Sequence, residues 1–209
     1  MPALQWDGPQ SAEWTLVLAH GAGAGMDSPF LQYTAEAIGR QGIRVGRFNF
    51  SYMARALQEK KRRPPDSAKK LLIVWEEVIE YVASQMTNGQ RLAIGGKSMG
   101  GRFASMSTHL DPVEALICLG YPFHPPGKPE KLRTDHLRDI AVPTIIIQGE
   151  RDIFGNKAEV KRMKLPRRIL VHWLVDGDHS FKPRKASGLT LEQNLDEAIA
   201  RLVLFLNTC

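Results

Sequence analysis

The chain has 209 residues, 43% hydrophobic and 24% charged, a balance that fits one ordinary domain with a real core. A formal net charge of +6, without aromatic interleaving or a nucleic-acid motif, reads as a solvated surface and excludes nucleic acid as the expected partner. Cys118 and Cys209 form no disulfide framework and no metal spacing, and no secretory core or membrane-length stretch is present, so the expectation is a reduced, cytoplasmic protein with no membrane contact.

Trp14–Ala19 is the first apolar run of strand length, and His20-Gly21-Ala22-Gly23-Ala24-Gly25 follows it. Ser28-Pro29 then reads as an N-cap with proline in the first helical turn, opening a helix that ends at Gly39–Gly42. Ile43–Phe50 is the second run, and Gln58–Pro65 is a charged surface loop. After Asp66 and Ser67, either of which can cap, Leu71, Val74, Trp75, Val78, Ile79 and Val82 share one helical face. Arg91–Gly95 is the third run, followed by a helix expected over Met99–Leu110. Val113–Leu119, Thr144–Gln148 and Ile169–Val175 complete the series. Thr190 and Gln193 form a capping box, and Leu191, Leu195, Ala198, Ile199, Leu202, Val203 and Leu206 line a closing helix. Most runs are near-continuously apolar, as in strands covered on both faces. The expected fold is therefore a single α/β domain over residues 1–209, a mostly parallel sheet of about six to seven strands with helices on both faces.

In such a sheet, ligands bind beyond the carboxyl ends of the strands. The third run ends in Gly96-Lys97-Ser98-Met99-Gly100, a G-x-S-x-G turn between strand and helix. The turn strains the serine backbone and brings positions 96 and 100 too close for side chains, which is why both are glycine. Beyond the fifth run stands Asp152, placed to fix the tautomer of a histidine; Glu150 points elsewhere as an alternating neighbour. Beyond the sixth run stands His179, with Asp176 and Asp178 serving the turn itself. His172 is expected to be a satisfied core residue, and His109 and His136 ordinary helix or loop residues. The loop after the first run offers backbone N–H groups to an oxyanion, Ala22 with help from Gly23, paired with the N–H of Met99. It lacks the ending of a phosphate-binding loop. Tyr121 and His124, after the fourth run, are pocket candidates together with Gly23. The order Ser98, Asp152, His179 is the order found in α/β-hydrolases.

LAHGAGAG, GGKSMGGR, IIIQGERDIFG and VDGDHSF resemble the oxyanion loop, elbow, acid turn and histidine turn of the α/β-hydrolase superfamily, over nearly the whole chain. LGYPFHPPGKPEKLR is similar to a group of small hydrolases related to the testis-expressed and histone-acetyltransferase-complex hydrolase-like proteins. The resemblance implies an α/β-hydrolase fold and a serine hydrolase acting on an ester or thioester of a small substrate through an acyl-enzyme, with no cofactor and no metal. Relatives of the dienelactone hydrolase type use a cysteine nucleophile, and none stands in this elbow. Many relatives carry a helical lid where this chain has the short, proline-rich Gly120–Val142, and little chain precedes Trp14 for extra antiparallel strands. A lidless cleft is expected. Arg55, Lys60–Arg63, Lys128, Lys131, Arg133, Lys182, Arg184 and Lys185 lie beyond the strand ends, and their field would favour an anionic substrate. The alternative reading is a catalytically silent interaction module of the same fold.

Overall fold

The structure, a computed structural model, describes residues 1–209. Seven strands, β1 (Leu4–Asp7), β2 (Trp14–Ala19), β3 (Arg44–Phe48), β4 (Arg91–Lys97), β5 (Val113–Leu119), β6 (Thr144–Gly149) and β7 (Ile169–Leu174), build one sheet in the order β1-β3-β2-β4-β5-β6-β7. All pairs are parallel except β1 with β3. The helices are α1 (Pro29–Gly39), α2 (Ser51–Gln58), α3 (Ala68–Gln85), α4 (Met99–Ser105), α5 (Lys157–Arg162) and α6 (Leu191–Asn207). This is the α/β-hydrolase architecture. The β5–β6 connection contains only a short 3₁₀ turn, Asp135–Arg138, and no large lid.

The two-residue repeat of a strand sorts the core into two layers. In β2, Leu16 and Leu18 join the layer under α1 and α6, while Val17 and Ala19 join the layer under α3 and α4. Every residue of β2 and β6 is buried, which is why these runs show no polar alternation. The stripe expected on α3 is buried from Leu71 to Val82, and Trp75 is fully enclosed against Phe48. Ser28 caps α1 and the Thr190–Gln193 box caps α6.

Four expectations need correction. A first strand does precede Trp14: Leu4 and Trp6 pack on the core, and Asp7 accepts from the buried Arg47 guanidinium across the β1–β3 pair. The helix after the elbow stops at Ser105, not Leu110. Ser105, Ser107 and Thr108 turn their hydroxyls back onto the carbonyls of Arg102, Phe103 and Ser105, competing with helical continuation. His172 is not a core residue. β7 is an edge strand, and this imidazole is partly exposed with Nε2 3.1 Å from Glu197. His136 is more than an ordinary loop residue, because Nε2 lies 2.8 Å from the Ser105 hydroxyl beneath the β5 loop. The two short helices α2 and α5 were not legible as periodic segments, although Asn156 and Glu159 form a complete capping box on α5.

Candidate active site

β4 ends at Lys97 and the chain reverses into α4 through Ser98, whose φ of 51° and ψ of −114° lie outside the ordinary regions for a side-chain-bearing residue. Such a conformation costs roughly 1–3 kcal/mol and persists only where surroundings impose it. They do: the Ser98 N–H donates to Leu119 O at 3.0 Å, and the flanking glycines permit close passage over β2. A Cβ at either Gly96 or Gly100 would fall 2.3 Å from Ala19 O, and one at Gly96 would also fall 2.9 Å from the Gly100 carbonyl carbon. Crowding between positions 96 and 100 is thus met from Gly96, and both glycines are required chiefly by the β2 backbone at Ala19.

Ser98 Oγ lies 2.9 Å from His179 Nε2, and His179 Nδ1 lies 2.7 Å from Asp152 Oδ2. The three side chains come from the ends of β4, β6 and β7. Asp152 is fully buried, and three donors surround its carboxylate: the imidazole, Gln148 Nε2 at 2.9 Å and the Phe154 N–H at 2.8 Å. Three N–H donors thus satisfy the buried carboxylate oxygens without water. With the charge on Asp152, Nδ1 carries the proton and Nε2 faces Ser98 as acceptor. Phe154 covers the ring at a centroid distance of 4.3 Å. Glu150 points away, as expected, to Lys157 and the Asp176 N–H. Asp176 and Asp178 serve their turn: Asp176 binds Arg184 and Arg151, and Asp178 accepts the N–H groups of Ser180 and Lys182. Arg184 beside Asp176 holds that carboxyl down at about 2.

The Gly21–Gly25 loop is tied down by residues for which spacing gave no signal. The Phe50 N–H donates to His20 Nε2 at 3.1 Å, so His20 carries its proton on Nδ1 and donates it to Gly21 O at 2.6 Å. Burial pushes the His20 pKa below its ordinary value, which keeps the ring neutral. Tyr52 Oη lies 3.2 Å from Ala22 O and 3.4 Å from Gly21 O, and burial raises its pKa to about 12, so it remains a donor. A Cβ at Gly21 would sit 3.7 Å from Ser98 Cβ, so the loop passes directly beside the serine.

Lys97, the variable residue before Ser98, was also missed. Its Nζ donates to His179 O at 2.6 Å and lies 5.5 and 5.7 Å from the Phe30 and Phe181 ring centroids. Burial lowers its pKa to about 8, against the opposing pull of Asp152 and Asp178. The opposite side of the histidine loop is held by Asn194 of α6, which donates to Phe181 O and Val175 O.

Ser98 and His179 open onto a cavity of about 820 Å³ walled by the Gly21–Ala24 backbone, Phe30, Leu31, Tyr33, Phe154, Leu191 and Leu195. Gly23 lines it as expected. Tyr121 and His124 do not. Their side chains are buried, Tyr121 donating to Arg133 O and His124 held between Pro125 O and Glu159, because the chain after β5 folds inward under Gln148. Of the basic residues singled out, only Lys60–Arg63 border the site. They line a second cavity of about 610 Å³ that shares Ala22 and Gly23 with the first. Arg55 and Arg184 are engaged with Asp66 and Asp176.

Solved structures with the same fold include a serine hydrolase homologue from Coxiella burnetii, 20% identical, covering 96% of this chain and 89% of that one with a TM-score of 0.69. A lidless serine hydrolase from Xanthomonas campestris is 18% identical over 95% of this chain and 88% of that one, TM-score 0.69. An esterase from Pyrococcus furiosus is 13% identical over 95% and 83%, TM-score 0.71. The sequence profile of the alpha/beta hydrolase domain family matches residues 12–207, and the chain belongs to that family.

Proposed function

We propose that the protein is a serine hydrolase of small esters or thioesters, working through an acyl-enzyme with Ser98 as nucleophile, His179 as general acid–base and Asp152 as its orienting carboxylate. The observation that carries this reading is the continuous relay of 2.9 and 2.7 Å between the three side chains. Family membership and the esterases among its structural neighbours support it.

His179 takes the Ser98 proton as Oγ bonds to the acyl carbon. The negative charge goes to the former carbonyl oxygen, which the N–H groups of Ala22 and Met99, with Gly23 adjoining, receive. Collapse breaks the bond to the leaving oxygen or sulfur, and His179 gives that atom its proton. Water then yields a proton to His179 and its oxygen to the acyl carbon, Oγ departs with the proton returned, and acid plus alcohol or thiol leave. No step calls on a metal or cofactor. Within the family we read the chain with the small hydrolases that LGYPFHPPGKPEKLR resembles, and its setting as a reducing cytoplasm, which the two unpaired cysteines support.

The test is labelling by a fluorophosphonate probe, run beside Ser98→Ala and followed by a panel of p-nitrophenyl esters and acyl thioesters. Ser98-dependent labelling and turnover are expected. Folded protein that takes no label would return the chain to the interaction-module alternative.

A further inference from the structure

Two cavities of opposite character meet at the loop beside Ser98. The first, bordered by Ser98 and His179, is walled mainly by Phe30, Leu31, Phe154 and Leu195. The second lies beyond Ala22 and Gly23 and is bordered by neither Ser98 nor His179. Its floor is apolar, from Met53, Ala56 and Leu57 of α2, and its rim is Lys60, Lys61, Arg62 and Arg63. Arg63 pairs with Glu59, whereas Lys60, Lys61 and Arg62 take part in no ion pair. The backbone that carries these exposed cations is fixed by the way α2 ends. Lys60 adopts a left-handed φ of 52°, and the Lys61 N–H donates to Ala56 O at 3.0 Å, five residues back, closing the helix.

The direction of the reaction assigns the two cavities. The imidazolium must protonate the departing atom, so the leaving group lies on the His179 side, in the apolar cavity. The acyl substituent takes a corner of the tetrahedral carbon away from His179 and beside the oxyanion held at Ala22, with a path past Gly23 toward the second cavity, which shares that residue. An acyl chain taking that path crosses a short apolar floor and ends among three unpaired cations.

Resting on the serine-hydrolase reading, we propose that the preferred substrate is an ester or thioester whose acyl chain ends in an anion: a monoester of a dicarboxylic acid, carrying an apolar alcohol or thiol. The methylene spacer lies on Met53, Ala56 and Leu57, the free carboxylate is received by Lys60, Lys61 and Arg62, and the apolar leaving group occupies the cavity beside Phe30 and Leu195.

The experiment compares p-nitrophenyl hydrogen adipate with its methyl-capped neutral counterpart, in wild type and in Lys60→Gln/Lys61→Gln/Arg62→Gln. The wild type should favour the anionic ester in kcat/KM by about tenfold at low salt, and the preference should shrink as salt is added. The triple variant should lose the preference while keeping the neutral-ester rate. An equal ratio in both proteins overturns the proposal, and so does a variant that merely melts lower with its preference intact, since the cations would then serve only the end of α2. A third arm uses butyryl-coenzyme A, whose anion sits on the leaving group. If that substrate, and not the adipate, depends on the three cations, the assignment of sides is wrong and the proposal falls. Turnover of the neutral ester together with Ser98-dependent labelling separates these failures from failure of the hydrolase reading, which would take this proposal with it.

Discussion

Two histidines stand just past the carboxyl ends of two strands of the sheet, the inner β2 and the edge strand β7, and their partners differ in kind. His20, after β2, is fully buried, and both ring nitrogens are taken up by backbone, the Phe50 N–H and Gly21 O. His179, after β7, is partly exposed and bridges two side chains, an ionised carboxylate on one nitrogen and a hydroxyl on the other. A ring saturated by backbone has no proton to exchange and acts as a brace. A ring between a carboxylate and a hydroxyl, open to a cavity, can gain and lose one. The same residue type thus braces the scaffold in one loop and, on the proposed reading, carries the chemistry in the other.

The sharpest way to break that comparison is substitution at the relay. Ser98→Ala or His179→Ala should cost on the order of 10⁶ in kcat with little change in melting temperature, checked by ester turnover and calorimetry. Asp152→Asn should follow at about 10⁴, because an amide donates where the imidazole needs an acceptor and the wrong tautomer results. Asp178→Asn, at the residue just before His179 in the turn, should leave turnover within a few-fold; an equal loss there would mean the acid has been misassigned.

His20→Ala should show the reverse pattern. It leaves the Phe50 N–H unpaired and Gly21 O with only the long Tyr52 hydroxyl contact, beside a new cavity, a loss of roughly 2–4 kcal/mol that denaturant unfolding would read. Turnover by the fraction still folded should fall less than in the relay variants. A His20→Ala protein as stable as wild type would remove the brace from the account.

Lys97→Met gives a smaller effect than the relay variants and the finest test. Loss of the donor to His179 O should lower kcat by about tenfold without altering KM, as expected for a residue that positions another. Its pH dependence is set by the ammonium's pKa of about 8, below the ordinary lysine value. Between pH 8 and the unfolded value, the unfolded chain binds more protons than the folded one, so native stability rises with pH across that window. Lys97→Met should lack this rise, and the difference in unfolding free energy between the two proteins, followed from pH 7 to 10, provides the check.

The elements most legible in the sequence were those whose pattern reports burial directly. β2 and β6 read as unbroken apolar runs because helices cover both of their faces, and α3 showed its stripe because only one of its faces is buried. β1 was not legible: four residues with mixed burial carry too little pattern, and what secures them is a distant arginine, Arg47, which also donates to Met26 O in the loop beside the site. Ser98, Asp152 and His179 could be named because each sits where a strand ends, a position that periodicity marks. Tyr121 and His124 stood at a strand end too and were misread, since a strand end fixes where the backbone emerges and not which way the next side chains turn. Gln148 turns them inward, donating to Tyr121 O and accepting its N–H.

Local chemistry in the chain was enough to determine the strained elbow, the alternation of strands and helices, and the identity of three residues able to share a proton. Glycine at 96 and 100, apolar runs and turn residues act over a few positions, so their consequences can be read in order. The tertiary structure alone decided that His20 is a brace and His179 is not, that Lys97 reaches the histidine loop, and that Lys60–Arg63 line a second cavity sharing Ala22 and Gly23 with the one at Ser98. Those outcomes depend on which atoms meet across 20 to 80 residues of chain, and side-chain direction at a loop is set by its partners in space rather than by its neighbours in sequence.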